Sequence, residues 1–316
     1  LSLHDARSIS GVLGKKLQLG VDLYRHDLAY TSVESLYTEV ATGGRVSLTK
    51  ALGSDFLIGR VGYTLEDIGI LVDGHTFRTN GLGGGPTIGN RNVPDAINEQ
   101  AGYNLVSKLD LSLAYDTRNS VTLPDKGERI ELSTVLAGPF PGDESYYKIQ
   151  LKSAWYFRGF FPGHVLELIG ETGVADSYGH TGDVPFYDRY YLGGLDSLRG
   201  FRYHSAAPRA RPFPPQEGSS REPIGGDTYW FGSAEYSVPI IQSDKERGVG
   251  LRFAMFYDIG NVMLNSYSYN WQNYLDNWGL GLRLNLPIGP LRLDYGIPIH
   301  HDRWNGGSGQ FQFRVG

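Results

Sequence analysis

The chain has 316 residues, among them 43 Gly, 16 Pro, 21 Tyr, 14 Phe and 5 Trp, with two Met and no Cys. Glycine costs about 1 kcal/mol per helix position relative to alanine, so this composition disfavours a helical bundle and points to strands and turns. Without cysteine there are no disulfides, thiolate metal sites or cysteine nucleophiles, and a formal net charge of −5 supplies no field for drawing in nucleic acid.

No stretch approaches the roughly 18 consecutive apolar residues of a transmembrane helix. Leu1 is neither an initiating Met nor the start of a signal peptide, so the chain reads as mature or as a piece of something longer. Apolar residues recur instead at every second position. Leu17, Leu19, Val21 and Leu23 alternate with Gln18, Gly20, Asp22 and Tyr24, and Leu109, Leu111, Leu113 and Tyr115 alternate with Asp110, Ser112, Ala114 and Asp116. This period predicts strands at 16–26, 36–51, 55–66, 104–118, 128–139, 145–158, 164–175, 227–240, 248–260, 278–287, 290–298 and 309–316, about twelve in all.

The connections alternate in length. Short links fall at 52–54, 119–127, 159–163, 241–247 and 287–290, and long ones near 67–103, 176–226 and 261–277. Tight turns at one end and long loops at the other describe a transmembrane, antiparallel, up-and-down β-barrel of the outer-membrane type, apolar alternates facing lipid and polar ones lining the lumen. A soluble β-sandwich could put Asp22, Asp110, Asp116, Lys148, Gln150, Lys152, Arg252, Asp258, Arg283 and Arg292 on a solvent face. It accounts less well for the alternating loops and for strands of ten or more residues, since a tilted strand needs about 9–11 to cross a bilayer.

The longest loop carries Phe186-Tyr187-Asp188-Arg189-Tyr190-Tyr191-Leu192-Gly193-Gly194-Leu195-Asp196-Ser197-Leu198-Arg199-Gly200-Phe201. With its glycine pair and Leu-Arg-Gly-Phe tetrad, this resembles the signature loop of the BamA family of outer-membrane assembly factors. The likeness continues through Gly225-Gly226-Asp227, Ser233 to Pro239, Phe256 to Val262, Gly279 to Arg283 with Pro287 to Leu291, and Gln310 to Gly316. Upstream, Tyr115 to Arg118 followed by Gly127-Glu128-Arg129 is similar to the family's strand, turn, strand unit. The resemblance implies a barrel of about sixteen strands preceded by periplasmic POTRA domains, so residues 1–316 would be the C-terminal portion of one barrel domain. Leu1-Ser2-Leu3 reads as the tail of a strand, with the first three or four strands and the POTRA domains expected ahead of it.

The resemblance also implies that Arg199 points back into the barrel and meets Glu235 and Asp258. Parity agrees independently: Glu235 shares a face with Ser233 and Ser237, and Asp258 with Arg252 and Ala254, both opposite apolar alternates. A planar guanidinium can hold carboxylates bidentately and pin a long loop, while Gly193, Gly194 and Gly200 allow close approach and Phe201 completes the tetrad. Without the motif, Arg199 would read as an ordinary exposed loop arginine.

No nucleophile, oxyanion or metal constellation emerges, and neither an enzyme activity nor a cofactor is expected. Gly81 to Gly85 with Pro86 lack phosphate-loop spacing and read as a loop. Adjacent His300 and His301 make a poor metal site. Asp110, Asp116 and Glu131 lie on polar faces without forming an acid and base pair. Trp155, Trp230, Trp271 and Trp278 read as interfacial belt or loop anchors.

The function the resemblance implies is folding and insertion of other β-barrels into the outer membrane of a diderm bacterium, through a weak seam between first and last strands. The last strand, Gly309 to Gly316 with Phe311 and Phe313, would be one lip. Implied partners are unfolded β-barrel clients, periplasmic or lipoprotein accessory subunits and outer-membrane lipid, with no nucleic acid. The alternatives are a two-partner-secretion polypeptide transporter of the same superfamily and a diffusion porin. The terminal Phe311-Gln312-Phe313 pattern looks bacterial, with an organellar envelope as the alternative.

Overall fold

The computed structural model describes residues 3–10, 17–29, 37–72, 93–121, 123–138, 141–179, 182–210, 221–241, 250–286 and 289–315. The strands are β1 (Leu3–Ser10), β2 (Leu17–Ala29), β3 (Tyr37–Ala51), β4 (Leu57–Val72), β5 (Gly102–Asp116), β6 (Gly127–Ala137), β7 (Tyr146–Arg158) and β8 (Val165–Ser177). After a two-residue ribbon, β9 (Arg209–Ala210) with β10 (Glu222–Pro223), come β11 (Thr228–Ile241), β12 (Gly250–Met263), β13 (Leu275–Leu286), β14 (Gly289–His300) and β15 (Gln310–Val315). Among the described residues, thirteen strands form one antiparallel sheet in which each pairs with its neighbours in sequence, β8 meeting β11 across the long loop. Among the described residues β1 pairs only with β2, and β15 only with β14.

Register keeps the two faces separate. Tyr147, Ile149, Leu151, Trp155 and Phe157 of β7 lie on one face, and Lys148 and Gln150 on the other. The pairings Ile149↔Val174, Trp230↔Thr172 and Tyr257↔Trp278 carry the outward parity across the wall. A one-residue slip would move the lumen-facing charges of a strand into the lipid-facing row, so the pattern strongly specifies the register. Gly127, at φ +96°, closes the β5–β6 turn, where a Cβ would collide with the Thr117 carbonyl.

The wall holds one strand more than the alternation marked. Leu3, Ala6 and Ile9 fall three apart, and Asp5 and Arg7 share parity with Leu3, so β1 has no clean two-residue signature. The loop expected over 67–103 also begins later, because β4 continues to Val72. Its inward residues change from Arg60, Thr64 and Glu66 to Ile68, Ile70 and Val72, which leaves both faces apolar near the long-loop end and erases the alternation. Residues 81–86 lie outside the described residues. The loop expected over 261–277 narrows to 264–274.

Those inward apolar residues belong to a core inside the barrel. Ile68, Ile70, Val106, Tyr229 and Phe231 from the wall pack against Phe186, Leu192, Leu198 and Phe201 from the long loop, with Ile70 and Leu198 fully buried. Ile97, on the single-turn helix α1 (Asp95–Asn98), joins the same cluster. The lumen is therefore polar toward the short turns and, at the other end, filled by the loop, whose apolar residues pack around buried ion pairs.

Candidate functional site: a loop held inside the barrel

The loop between β8 and β11 folds back along the inner wall in steps. A 3-10 turn at Phe186–Asp188 is followed by a backbone bridge between Tyr190 and Gly226 at 2.8 and 3.0 Å, then one between Leu192 and Ala206 at 3.1 and 3.0 Å. The tip closes on itself: Gly193 N donates to Ser197 Oγ at 2.8 Å and Gly194 N to the Phe201 carbonyl at 3.0 Å. Gly193 sits at φ +105°, where a Cβ would run into the Arg202 carbonyl. A Cβ on Gly200 would lie 2.6 Å from Asn277 Cβ, so only glycine lets the tip rest against β13 and β14.

Arg199 is at that tip and is 2% exposed. Its Nε and Nη2 donate to Asp258 Oδ2 and Oδ1 at 2.8 and 2.6 Å, a bidentate pair, and its Nη1 donates to Glu235 Oε2 at 2.6 Å. Nη2 also reaches Ser233 Oγ at 3.0 Å, the backbone N–H reaches Asp258 Oδ2 at 3.2 Å, and the guanidinium carbon lies 3.4 Å from the centre of the Phe256 ring. Stacking on the ring face and a planar fork onto carboxylates are geometries a lysine cannot reproduce.

Further partners complete the site. Arg283 of β13 donates to Glu235 at 2.6 and 3.1 Å and pairs with Asp294 of β14 at 2.5 Å, while Arg292 pairs with Asp294 at 2.7 Å. Asn277 Nδ2 gives Asp258 Oδ2 a bond of 2.9 Å. Arg199, Arg283 and Arg292 thus face Glu235, Asp258 and Asp294, three charges of each sign, so the buried cluster is neutral only while Arg199 is present.

A second attachment has the opposite polarity. Asp188 pairs with Lys108 of β5 at 2.6 Å, receives the Tyr146 hydroxyl, and lies 3.7 Å from Lys148 Nζ of β7, which also donates to its carbonyl at 2.5 Å. Lys108 is shared with Glu66 of β4 at 2.6 Å. Burial pushes the Asp188 carboxyl up, but the charges of Lys108 and Lys148 outweigh it and hold it well below the usual carboxylate range. The loop therefore gives a cation to the β11–β14 wall and an anion to the β4–β7 wall.

It also meets the last strand. Arg314 pairs with both Asp196 carboxylate oxygens, the longer contact being 2.7 Å, and Gln312 Nε2 donates to the Phe201 carbonyl at 3.1 Å. Phe311 and Phe313 point outward from β15, at 63% and 67% exposure, opposite Tyr295 and Leu293 of β14. Gly309 lies one residue before β15, under the Tyr295 ring, and Gly316 is outside the described residues.

Of the expected site residues, the structure brings Gly193, Gly194, Arg199, Gly200 and Phe201 together at the tip, against Glu235 and Asp258. Sequence reasoning did not single out Asp294, Asn277, Phe256, Lys108, Asp188 or Asp196 as site residues. Arg283 and Arg292 stood out only as polar-face charges. Strand parity put several of them on the inner face, but parity says nothing of which inner residues meet the loop. Toward the short turns, Asp116 is held by Arg118 at 2.7 Å and Arg129 at 3.1 Å, and Glu131 by Arg129 at 2.7 Å, an ion network rather than an acid and base pair. His300 Nδ1 is 2.9 Å from Asp276 Oδ1 and His301 Nδ1 is 2.9 Å from the Asp302 carbonyl; no group of three or more metal-ligating side chains occurs among the described residues.

The comparisons with known proteins agree with this architecture. Residues 8–316 match the Omp85 superfamily domain. The outer membrane protein assembly factor BamA of Nitratidesulfovibrio vulgaris is 32% identical over 223 residues, covering 70% of this chain and 26% of that protein. The human sorting and assembly machinery component 50 homolog is 28% identical over 228 residues, covering 66% of this chain and 45% of that protein. The chain therefore spans between about a quarter and a half of the length of these relatives, at 26% and 45%. In fold it is similar to the crystal structure of BamA from Haemophilus ducreyi lacking POTRA domains 1–3, with a TM-score of 0.76 at 20% identity, over 99% of this chain and 61% of that one. From the barrel wall, the inward loop and these matches together, the chain belongs to the Omp85 superfamily of outer-membrane β-barrel proteins and has the barrel fold of its BamA branch.

Proposed function

We propose that the chain is the barrel portion of a bacterial assembly factor that folds and inserts β-barrel clients into the outer membrane, without enzymatic chemistry or a cofactor. POTRA domains and the first strands precede Leu1 in this reading, and accessory subunits of an assembly complex act with it. The observation that carries it is the connection from the wall to the last strand through one loop: Arg199 on Glu235 and Asp258, and Asp196 and Phe201 on Arg314 and Gln312.

Among the described residues β15 pairs with β14 only over Leu291–Gly296, and Ile297–His300 of β14 run on past that pairing. A short last strand is easily parted from its neighbour across a seam. Once the seam opens, each unpaired backbone group facing lipid costs several kcal/mol, and an incoming client strand removes that cost by pairing with the edge. The docked loop holds Gln312 and Arg314 from the lumen side and so sets where the edge is presented.

These 316 residues contain no cysteine, so once any cysteine elsewhere in the complete protein is replaced by serine, a pair engineered across β15 and the first strand forms one defined crosslink. Oxidation is expected to stop client insertion and reduction to restore it. Insertion at full rate with the seam locked would refute lateral opening. Large single-channel conductance that depends on the Arg199 loop, with substrate-specific secretion, would instead support the polypeptide transporter.

A further inference from the structure

The loop 264–274 between β12 and β13 plays no part in the reading above. Its eleven residues, Leu264 to Tyr274, include Tyr267, Tyr269, Trp271 and Tyr274, four amide side chains and no Asp, Glu, Lys or Arg. Residues 264–271 turn outward and run back across the outer faces of β11, β8 and β7, while Gln272 to Tyr274 line a cavity with Leu192, Leu198 and Ala206 of the long loop.

Its attachments fix that course. Thr228 Oγ1 donates to the Asn265 carbonyl at 3.0 Å, Trp230 Nε1 to the Asn270 carbonyl at 3.0 Å, and Ser266 Oγ to the Ala175 carbonyl at 2.7 Å. The Tyr269 hydroxyl is 2.8 Å from Thr172 Oγ1, and the Tyr267 hydroxyl is 2.6 Å from that of Tyr147. Tyr147, Thr172 and Trp230 all have outward parity, in register with Ile149, Leu151 and Leu168 of the lipid-facing rows. Trp230 and Trp271 lie 4.8 Å apart, and Tyr269 stacks on Trp271 at 5.9 Å. Tyr267 adopts φ +56°, a conformation a bulky residue holds only when its surroundings impose it.

Tyr267 at 59% and Trp271 at 63% exposure nevertheless leave more than half of their surface uncovered by the described residues. Rings with polar edges, an amide rim, no charge and continuity with the lipid-facing wall match one environment, the boundary between headgroups and acyl chains. We propose that the 264–274 loop is a strap that inserts Tyr267, Tyr269 and Trp271 into that boundary in the leaflet on the long-loop side. It fixes the height of the β11–β12 hairpin, whose strands carry Glu235 and Asp258. The inference rests on the barrel fold and not on the insertase reading.

The test uses the complete protein in phosphatidylcholine vesicles, with acyl chains brominated either near the headgroup or near the terminal methyl. Fluorescence of the wild type minus that of Trp271→Phe isolates Trp271, and heat-modifiable gel migration confirms that both barrels are folded. Shallow bromines are expected to quench the difference signal at least twofold more than deep ones, with aqueous iodide having little effect. Quenching by iodide alone would place the strap in water and overturn the proposal, as would quenching by deep bromines alone. Efficient disulfide dimerisation of Trp271→Cys in the same vesicles would also overturn it, because the rings would then be covered by a second copy.

Discussion

Replacing Arg199 by alanine removes two bonds to Asp258, one each to Glu235 and Ser233, and the stacking on Phe256. The two acids are left in different positions. Glu235 keeps Arg283 at 2.6 and 3.1 Å, whereas Asp258 keeps only neutral donors, Ser233 Oγ at 2.7 Å, Asn277 Nδ2 at 2.9 Å and a backbone N–H. The uncompensated charge therefore falls on Asp258, which is fully buried. Removing one member of a buried pair costs about 3–5 kcal/mol. Water entering the vacated space favours the lower end, and 3 kcal/mol is roughly a hundredfold in the ratio of released to docked loop. Chymotrypsin is the suitable probe, because Phe201 and Tyr203 remain in the variant and cleavage tracks the released population when reclosing is fast. We expect loop cleavage about a hundredfold faster in Arg199→Ala, with the barrel intact, and an intermediate rate in Arg199→Lys, which keeps charge without the planar fork. Adding Asp258→Asn to Arg199→Ala should recover part of the loss. Cleavage within about threefold of wild type, or a double variant looser than the single one, would refute the reasoning.

Asp188→Asn leaves Lys108 and Lys148 without the loop carboxylate, and should loosen the loop by about 2 kcal/mol or more, read as cleavage near Tyr187 with little effect at the tip. Gly200→Ala forces a methyl against Asn277 and should weaken docking by about 1–3 kcal/mol in the same assay. His204 lies between Tyr191 and Tyr203, with ring centroids at 4.5 and 3.8 Å, and burial pushes its imidazole down to about 4. A value below that of the released loop means that docking binds fewer protons, so docking is fully stable above about pH 6.5 and weakens as pH falls toward 4. Loop cleavage by an acid-tolerant protease should rise across that window in wild type and rise less in His204→Asn, whose side chain also tolerates the φ of +58° found there.

Much of the wall was legible because one physical requirement, lipid on one side and a polar lumen on the other, writes itself into every second residue. Where the requirement lapses, so does the signal. Ile68, Ile70 and Val72 face a loop-filled interior, so the end of β4 lost its alternation, and β1 is defined by its backbone pairing with β2. The Arg199 contacts could be anticipated from motif and parity, since both acids had to face inward. Asp294 and Arg283 could not, because an inward charge has the same parity whether it meets the loop, its own neighbours or water. Asp188 stood inside the signature loop, yet its partners Lys108 and Lys148 lie 80 and 40 residues upstream by numbering, and only the pairing of β5 to β8 in one sheet brings them to it. The 264–274 loop read as a connection with interfacial aromatics, and its outward course over β11, β8 and β7 follows from hydrogen bonds that no local pattern encodes.

Insertion of an unfolded β-barrel client into liposomes containing the complete protein, compared between wild type and Arg199→Ala, tests most directly whether the docked loop serves an assembly function. We expect the client to gain protease protection with the wild type and to lose most of that gain with the variant, while the variant barrel itself stays folded. Equal client protection with both proteins would contradict the role of the loop, and no protection with either would contradict the assembly function itself.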